Sequence, residues 1–274
     1  MRPSRLAPPG SHRTPGPPAP RPEDGGAREF IEDNLLLLYQ PIVRLGDRRL
    51  AMVEALARWE VEDLALGADT VVPAAERAGL GADLTAAVAR RAALELGRLP
   101  GALRLRVSVN MPLDVLERPD IVSWLARTLR PGRLGRGRFV IELTETTPVR
   151  DQSRLARSVR RLRQAGCGVL LDDLQLDDGR SHLLRHPFTG VKFDRSVVEA
   201  LPSSARARHR MRLLAREARR RGMEVTAEGV SSRSLWQALR GAGVTQVQGY
   251  HVSRPLRAQD LPAWNARWRG RQLA

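Results

Sequence analysis

The sequence predicts an α/β fold, a TIM-like (β/α)8 barrel whose first strand runs antiparallel to its neighbour. Three observations carry this. Short apolar runs end, one after another, in a polar residue: Ala51-Met52-Val53 at Glu54, Val107-Ser108-Val109 at Asn110, Phe139-Val140-Ile141 at Glu142, Gly168-Val169-Leu170-Leu171 at Asp172-Asp173, Gly190-Val191 at Lys192, Val225-Thr226-Ala227 at Glu228 and Gln246-Val247 at Gln248. Between most of them lie Arg-rich stretches with helical periodicity. Strand, polar tip and helix in repetition is the pattern of a barrel whose strand ends converge on one face and build a site there. The third observation sets the direction of the first strand. Tyr39-Gln40-Pro41-Ile42-Val43 and the run from Leu50 to Trp59 are separated by only a few residues around Gly46-Asp47. So short a connection cannot make a parallel crossover, and the two strands pair antiparallel.

Taken in order, residues 1–28 are rich in Pro, Gly and Arg with little to bury, and read as a disordered tail ahead of one barrel domain over residues 29–274. The hairpin follows, and residues 60–72 read as a loop. Pro73 suits the start of a helix over 74–80, with a second helix over 83–99. Leu103 to Asn110 reads as strand, 112–129 as helix and Phe139 to Leu143 as strand. Residues 152–165 are amphipathic, with Leu155, Val159 and Leu162 on one side and Arg on the other. Gly168 to Asp173 is too short for a helix and is bounded by Gly and acids, so it reads as a buried strand. A polar loop and short helical piece follow, then basic helix 204–221 and helix 232–242. Trp264 and Trp268, four apart, read as the docking face of a terminal helix.

Composition narrows the function classes. At 274 residues the chain holds one barrel-sized domain. Its one cysteine, Cys167, can form no internal disulfide and reads as packing. No run approaches the roughly 20 apolar residues of a membrane span, and the N-terminus lacks the apolar core of a secretory signal. The expectation is a cytoplasmic protein. The net charge of +16 is carried by arginine, yet no helix-turn-helix, zinc-knuckle or aromatic–basic pattern accompanies it, and only 4 % of residues are aromatic. No specific nucleic-acid partner is expected. Lys192 is the only lysine among 46 Lys and Arg residues, and it stands at a strand tip. A compact ammonium there can serve as a point charge beside water or phosphate, which an arginine fork does less well. Adjacent carboxylates such as Asp172-Asp173 repel each other and call for positive charge, and hard oxygen ligands suit Mg²⁺ or Mn²⁺.

Together these residues resemble the EAL domain, a family of bacterial cyclic di-GMP phosphodiesterases. The motif that names the family stands here as Glu54-Ala55-Leu56-Ala57-Arg58-Trp59, and Gln40-Pro41-Ile42-Val43 is similar to its opening. Ser108-Val109-Asn110, Glu142 to Glu145, Asp172-Asp173, Lys192-Phe193-Asp194-Arg195-Ser196, Ala227-Glu228-Gly229-Val230, Gln248-Gly249-Tyr250 and Ser253-Arg254-Pro255 follow in order. The resemblance implies hydrolysis of cyclic di-GMP to the linear dinucleotide pGpG at a two-metal site of Mg²⁺ or Mn²⁺, by a homodimer. It implies Glu54, Asn110, Glu142 and Asp172 as ligands of one metal, and Asp172 with Asp173 as ligands of the second. Lys192 would sit near the attacking water or the phosphate, Glu228 would be a ligand or an acceptor behind the ligands, and Gln248 would orient a water. Glu145 would anchor the loop after the Asp-Asp strand. Gln40, Leu56, Arg58 and Asp194 would contact substrate, Arg58 as a charged fork on phosphate.

That loop departs from the family. In place of Asp-Asp-Phe-Gly-Thr-Gly-Tyr-Ser-Ser the chain reads Asp172-Asp173-Leu174-Gln175-Leu176-Asp177-Asp178-Gly179-Arg180-Ser181, one residue shorter before Lys192. Ser231 replaces a family Glu, and Pro112 a family Ser. The departure opens an alternative: a module that has lost hydrolysis and acts as a cyclic di-GMP receptor or through a protein partner.

Overall fold

The structure is a computed structural model that describes residues 26–61, 64–100, 105–132, 134–144, 148–177 and 179–270. Nine strands form one sheet: β1 (Leu35–Arg44), β2 (Leu50–Val61), β3 (Leu64–Gly67), β4 (Val107–Met111), β5 (Phe139–Leu143), β6 (Gly168–Leu174), β7 (Gly190–Phe193), β8 (Glu224–Ala227) and β9 (Gln246–Gln248). Their order is β1-β9-β8-β7-β6-β5-β4-β2-β3, and pairing of β1 with β2 closes the ring, leaving β3 as an outer strand on β2. β1 is antiparallel to both neighbours, while β2 and β4 through β9 run parallel to one another. The hairpin register places Gln40 opposite Glu54 and Leu36 opposite Arg58. β5 and β7 are buried along their whole length, as strands covered on both faces must be.

The helices cover the outside of the barrel through apolar stripes. Helix Gln152–Gln164 buries Leu155, Val159 and Leu162 and turns its arginines outward, and Asp151 caps it by accepting from Arg154 N. Helix Ala205–Arg220 buries Met211, Leu214, Ala215 and Ala218 in the same manner and is capped by Ser204. Terminal helix Leu261–Gly270 docks through Trp264 and Trp268, whose rings stack at 5.7 Å. Trp268 Nε1 donates to Arg48 O at 2.7 Å, tying the helix to the β1–β2 turn.

Three expectations are corrected. Residues 60–72 are not a loop: β2 runs on to Val61 and folds back as β3, with Arg58 opposite Gly67. Helix Ala68–Arg77 therefore begins before Pro73, which falls in its second turn and lacks the N–H that would reach the Asp69 carbonyl. Stretch 112–129 is two helices, Leu113–Leu116 and Ile121–Leu129, because the residue ahead of Pro119 is pushed out of helical conformation. A close approach explains two glycines. A Cβ on Gly132 would lie 2.2 Å from the Ala93 carbonyl carbon, and one on Gly97 2.0 Å from Gly132 O. The helix Gly81–Gly97 thus packs backbone to backbone against the turn after helix Ile121–Leu129. The tail reading of residues 1–28 falls almost wholly outside the described residues; helix Gly26–Asp33 packs Ala27 and Ile31 inward.

Candidate active site

Side chains of a strand alternate between its two faces, and that period of two builds the site. Ile42, Met52, Val140 and Leu170 form a separate small apolar cluster, contributed by β1, β2, β5 and β6. It lies inside the barrel. One side-chain layer nearer the mouth, the same four strands present Gln40, Glu54, Glu142 and Asp172, all buried. The remaining strands follow suit. Buried Ser108, Thr226 and Gln246 sit two residues before Asn110, Glu228 and Gln248, and Gly190 stands two before Lys192. A Cβ on Gly190 would meet Leu170 Cδ2 at 2.8 Å, so the glycine makes room for the apolar layer. Each barrel strand thereby delivers one polar residue to a ring at the mouth.

Lys192 is the centre of that ring. Its side chain is 1 % exposed, and Nζ lies 3.3 Å from Glu54 Oε2, 3.1 Å from Glu142 Oε2 and 3.1 Å from Asp172 Oδ1, with Glu228 Oε1 in contact as well. Gln248 Nε2 donates to Glu54 Oε2 at 2.6 Å and to Gln40 Oε1 at 3.1 Å, and Gln40 Nε2 donates to Ser253 O at 3.2 Å. Asn110, exposed at the mouth, donates to Glu54 Oε1 at 3.4 Å. One ammonium cannot balance so many carboxylates. Burial pushes Glu142 well above the ordinary carboxylate range, with Glu54, Asp172 and Glu228 adding to the rise and Lys192 opposing it. Asp172 is raised by burial despite Lys192, and Glu228 is pushed up to about 8 by the same balance. Burial acts to lower the Lys192 pKa, but the surrounding carboxylates outweigh it and hold the ammonium charged.

Adjacent residues on a regular strand face opposite ways, yet Asp172 and Asp173 both serve this site. The reason is a bulge. β6 pairs Leu171 with Val191 and Leu174 with Phe193, so β6 spends one more residue than β7 over that interval. Asp173 takes a left-handed φ of 52°, a conformation that aspartate tolerates better than most residues. Asp172, Asp173 and Glu228 each bring an oxygen within 4.8 Å of the others.

The donor set fits a divalent metal. It consists of hard carboxylate oxygens and an amide, the cluster holds more negative charge than Lys192 can offset, and buried Glu142 Oε1 has no hydrogen-bond partner. Glu54, Asn110, Glu142 and Asp172 could hold one ion, and Asp172, Asp173 and Glu228 a second.

A cleft of about 320 Å³ opens beside the ring, lined by Gln40, Glu54, Leu56, Glu228, Gln248 and by Arg195, Gly229, Ser231, Gly249 and Tyr250, to which the sequence had given no site role. Tyr250 is 59 % exposed, with the Arg254 guanidinium 4.7 Å from its ring centroid. Two residues expected to contact substrate make local bonds. Arg58 donates to Ala57 O at 2.7 Å, and Asp194 caps helix Arg195–Ala200 by accepting from Ser196 N at 3.0 Å. Neither lines the cleft. Glu145 lies outside the described residues. Cys167, just ahead of β6, is buried, its thiol pushed up to about 11 by burial, with Arg136 in part opposing the rise.

A barrel with an inverted first strand and an acidic ring about one lysine defines an EAL-type domain. The profile of the family described as "EAL domain" matches residues 27–255, and the chain belongs to that family. Similar proteins include the cyclic di-GMP phosphodiesterase NbdA of Pseudomonas aeruginosa, 32% identical over 82% of this chain and 29% of its own length. An uncharacterized signaling protein of Caulobacter vibrioides is 30% identical over 86% of this chain and 29% of its own length. The chain thus spans less than a third of these curated relatives. Among solved structures, the phosphodiesterase PaMucR in complex with c-di-GMP superposes with a TM-score of 0.77 at 25% identity, covering 85% of this chain and 97% of that one. The FimX EAL domain of Xanthomonas citri superposes with a TM-score of 0.74 at 21% identity, covering 84% and 91%, and shares the fold.

Proposed function

We propose that the chain is a metal-dependent phosphodiesterase that hydrolyses cyclic di-GMP to linear pGpG, with Mg²⁺ or Mn²⁺ as the cofactor. The observation that carries the reading is the acidic ring about Lys192 at the mouth of the barrel, open to a cleft. A bound divalent pair supplies Lewis-acid polarisation of a phosphoryl oxygen and a lowered pKa for water. The chain's own groups do the rest. Lys192, held charged by its carboxylates, places positive charge beside the reacting phosphate. Gln248, fixed by its bonds to Glu54 and Gln40, keeps a buried amide oxygen that would accept from a water bound at the site. Glu228, which contacts Lys192 and lines the cleft, completes the acidic set that would hold the second ion.

The test is incubation of the purified chain with cyclic di-GMP and Mn²⁺, with products separated by chromatography. Linear dinucleotide that vanishes with chelator is expected, as is a fall of about 10²- to 10⁴-fold in Lys192→Ala and Glu54→Ala. Unchanged turnover in either variant sinks the assignment. The altered loop favours one competing reading, a receptor that binds the nucleotide or a protein partner without cleaving. Tight binding with no product in any metal would select it.

A further inference from the structure

The β6 bulge has a consequence for the loop behind it. A bulge takes backbone groups off the ladder, and here the freed carbonyls sit directly behind the acidic pair. Both are met by one side chain. Arg180 Nη1 donates to Asp172 O at 3.0 Å and, at longer range, to Asp173 O at 3.5 Å. Arg180 opens the 3-10 helix Arg180–Arg185, and Gly179 before it adopts φ 75°, which turns the chain back toward the strand it has just left. The same strand end is steadied by Asp194 N, which donates to Leu174 O at 3.2 Å, and by burial of Leu174. Both bonds come from the same Nη1, so one guanidinium nitrogen, held by the rigid plane of the group, serves the two neighbouring acceptors.

We infer that Arg180 is a positioning residue: by holding the carbonyls of the bulge, it keeps the Asp173 carboxylate where it shares a divalent cation with Asp172 and Glu228. The inference rests on the metal-dependent reading of this site and assigns a purpose to the departure of the loop. Where glycines would let the backbone turn freely, this chain carries Gln175 and Asp177 and braces the turn from behind with a guanidinium.

The experiment is a Mn²⁺ titration of the whole chain, followed by the electron paramagnetic resonance of free Mn²⁺, on wild type, Arg180→Ala and Arg180→Lys. Arg206→Ala serves as control, since Arg206 pairs at 3.5 Å with Asp177 of the same loop and touches neither carbonyl. Arg180→Ala is expected to weaken one class of Mn²⁺ site by about 10- to 100-fold, the range for losing a residue that orients a ligand. Arg180→Lys should restore part of the loss, millimolar guanidinium should restore it in Arg180→Ala alone, and Arg206→Ala should bind as wild type. If Arg180→Ala does not fold, Arg180→Lys carries the same comparison. Wild-type stoichiometry and affinity in the Arg180 variants overturn the inference and leave the phosphodiesterase reading standing. Wild type that binds Mn²⁺ but leaves cyclic di-GMP intact overturns the enzyme instead, and the binding curves still decide Arg180. No Mn²⁺ binding by wild type overturns both.

Discussion

Lys192 shows what can be read at the scale of a residue. Its identity in a chain otherwise free of lysine and its place after two apolar residues mark it before any coordinates exist, and the structure seats it among Glu54, Glu142, Asp172 and Glu228. The whole ring was legible for one physical reason: on a strand, a functional residue and the core residue beneath it are two apart, so hydrophobic pattern and site share a register. Arg180 carried no such mark, and Arg195 and Tyr250 stood within the motifs with no site role assigned to them. Arg180 matters through a bulge that no composition announces, and Tyr250 is exposed in a segment without periodicity. Arg58 and Asp194 were picked because their residue types suit phosphate or substrate, and in the structure each also bonds to local backbone. Cys167 gives a prediction at this scale. With its thiol at about 11, little thiolate exists at pH 8, so a disulfide reagent should react with the native chain at least about tenfold more slowly than with the urea-unfolded chain. The raised value also means that the folded state keeps a proton the unfolded state releases, so this group's contribution to stability falls as pH climbs from 9.0 toward 11. Equal reaction rates in the two states would contradict the burial.

At the scale of elements, strands were read well and their joints poorly. Phe139–Leu143 matches its expected span because a fully buried parallel strand is a plain apolar run. β3 was missed because Leu64–Gly67 is too short and too exposed to show a pattern; it exists by pairing with the overhang of β2. Pro73 misled because its preference for a first turn is a tendency that tertiary packing overrode. The backbone contact of Gly132 with Ala93 yields a paired test. Gly132→Ala should lose about 1–3 kcal/mol, the usual cost of overpacking, read from urea midpoints. Gly135→Ala, three residues on with nothing within 4 Å of its Cβ, should stay within about 0.5 kcal/mol. A neutral Gly132→Ala would mean that the two elements can part at no cost.

For the whole molecule, charge is distributed unevenly. The net charge is +16, and among the described residues many arginines lie on outward helix faces, while ion pairs such as Arg28–Asp83 and Arg195–Glu199 are exposed and contribute little to stability. The mouth is the opposite case, with buried acids in excess of their one cation. A divalent ion that binds only the folded chain should raise stability by about 2.7 kcal/mol at a hundredfold excess over its dissociation constant. For a chain of this size that is a melting-temperature gain of about 5–10 °C. Thermal scans with Mn²⁺ and with chelator measure it, and coincident curves would argue against a metal site. Among the described residues no helix is long and apolar enough to cross a membrane.

The single lysine also offers a probe of motion at the barrel mouth. Apart from the amino terminus, Lys192 Nζ is the only primary amine the chain owns, and it is 1 % exposed. Acylating reagents and aldehyde crosslinkers therefore find almost nothing to attack while the barrel mouth is closed around it. An internal amine label must fall at Lys192, and because its carboxylates hold the ammonium charged, labelling there requires both exposure to solvent and loss of that proton.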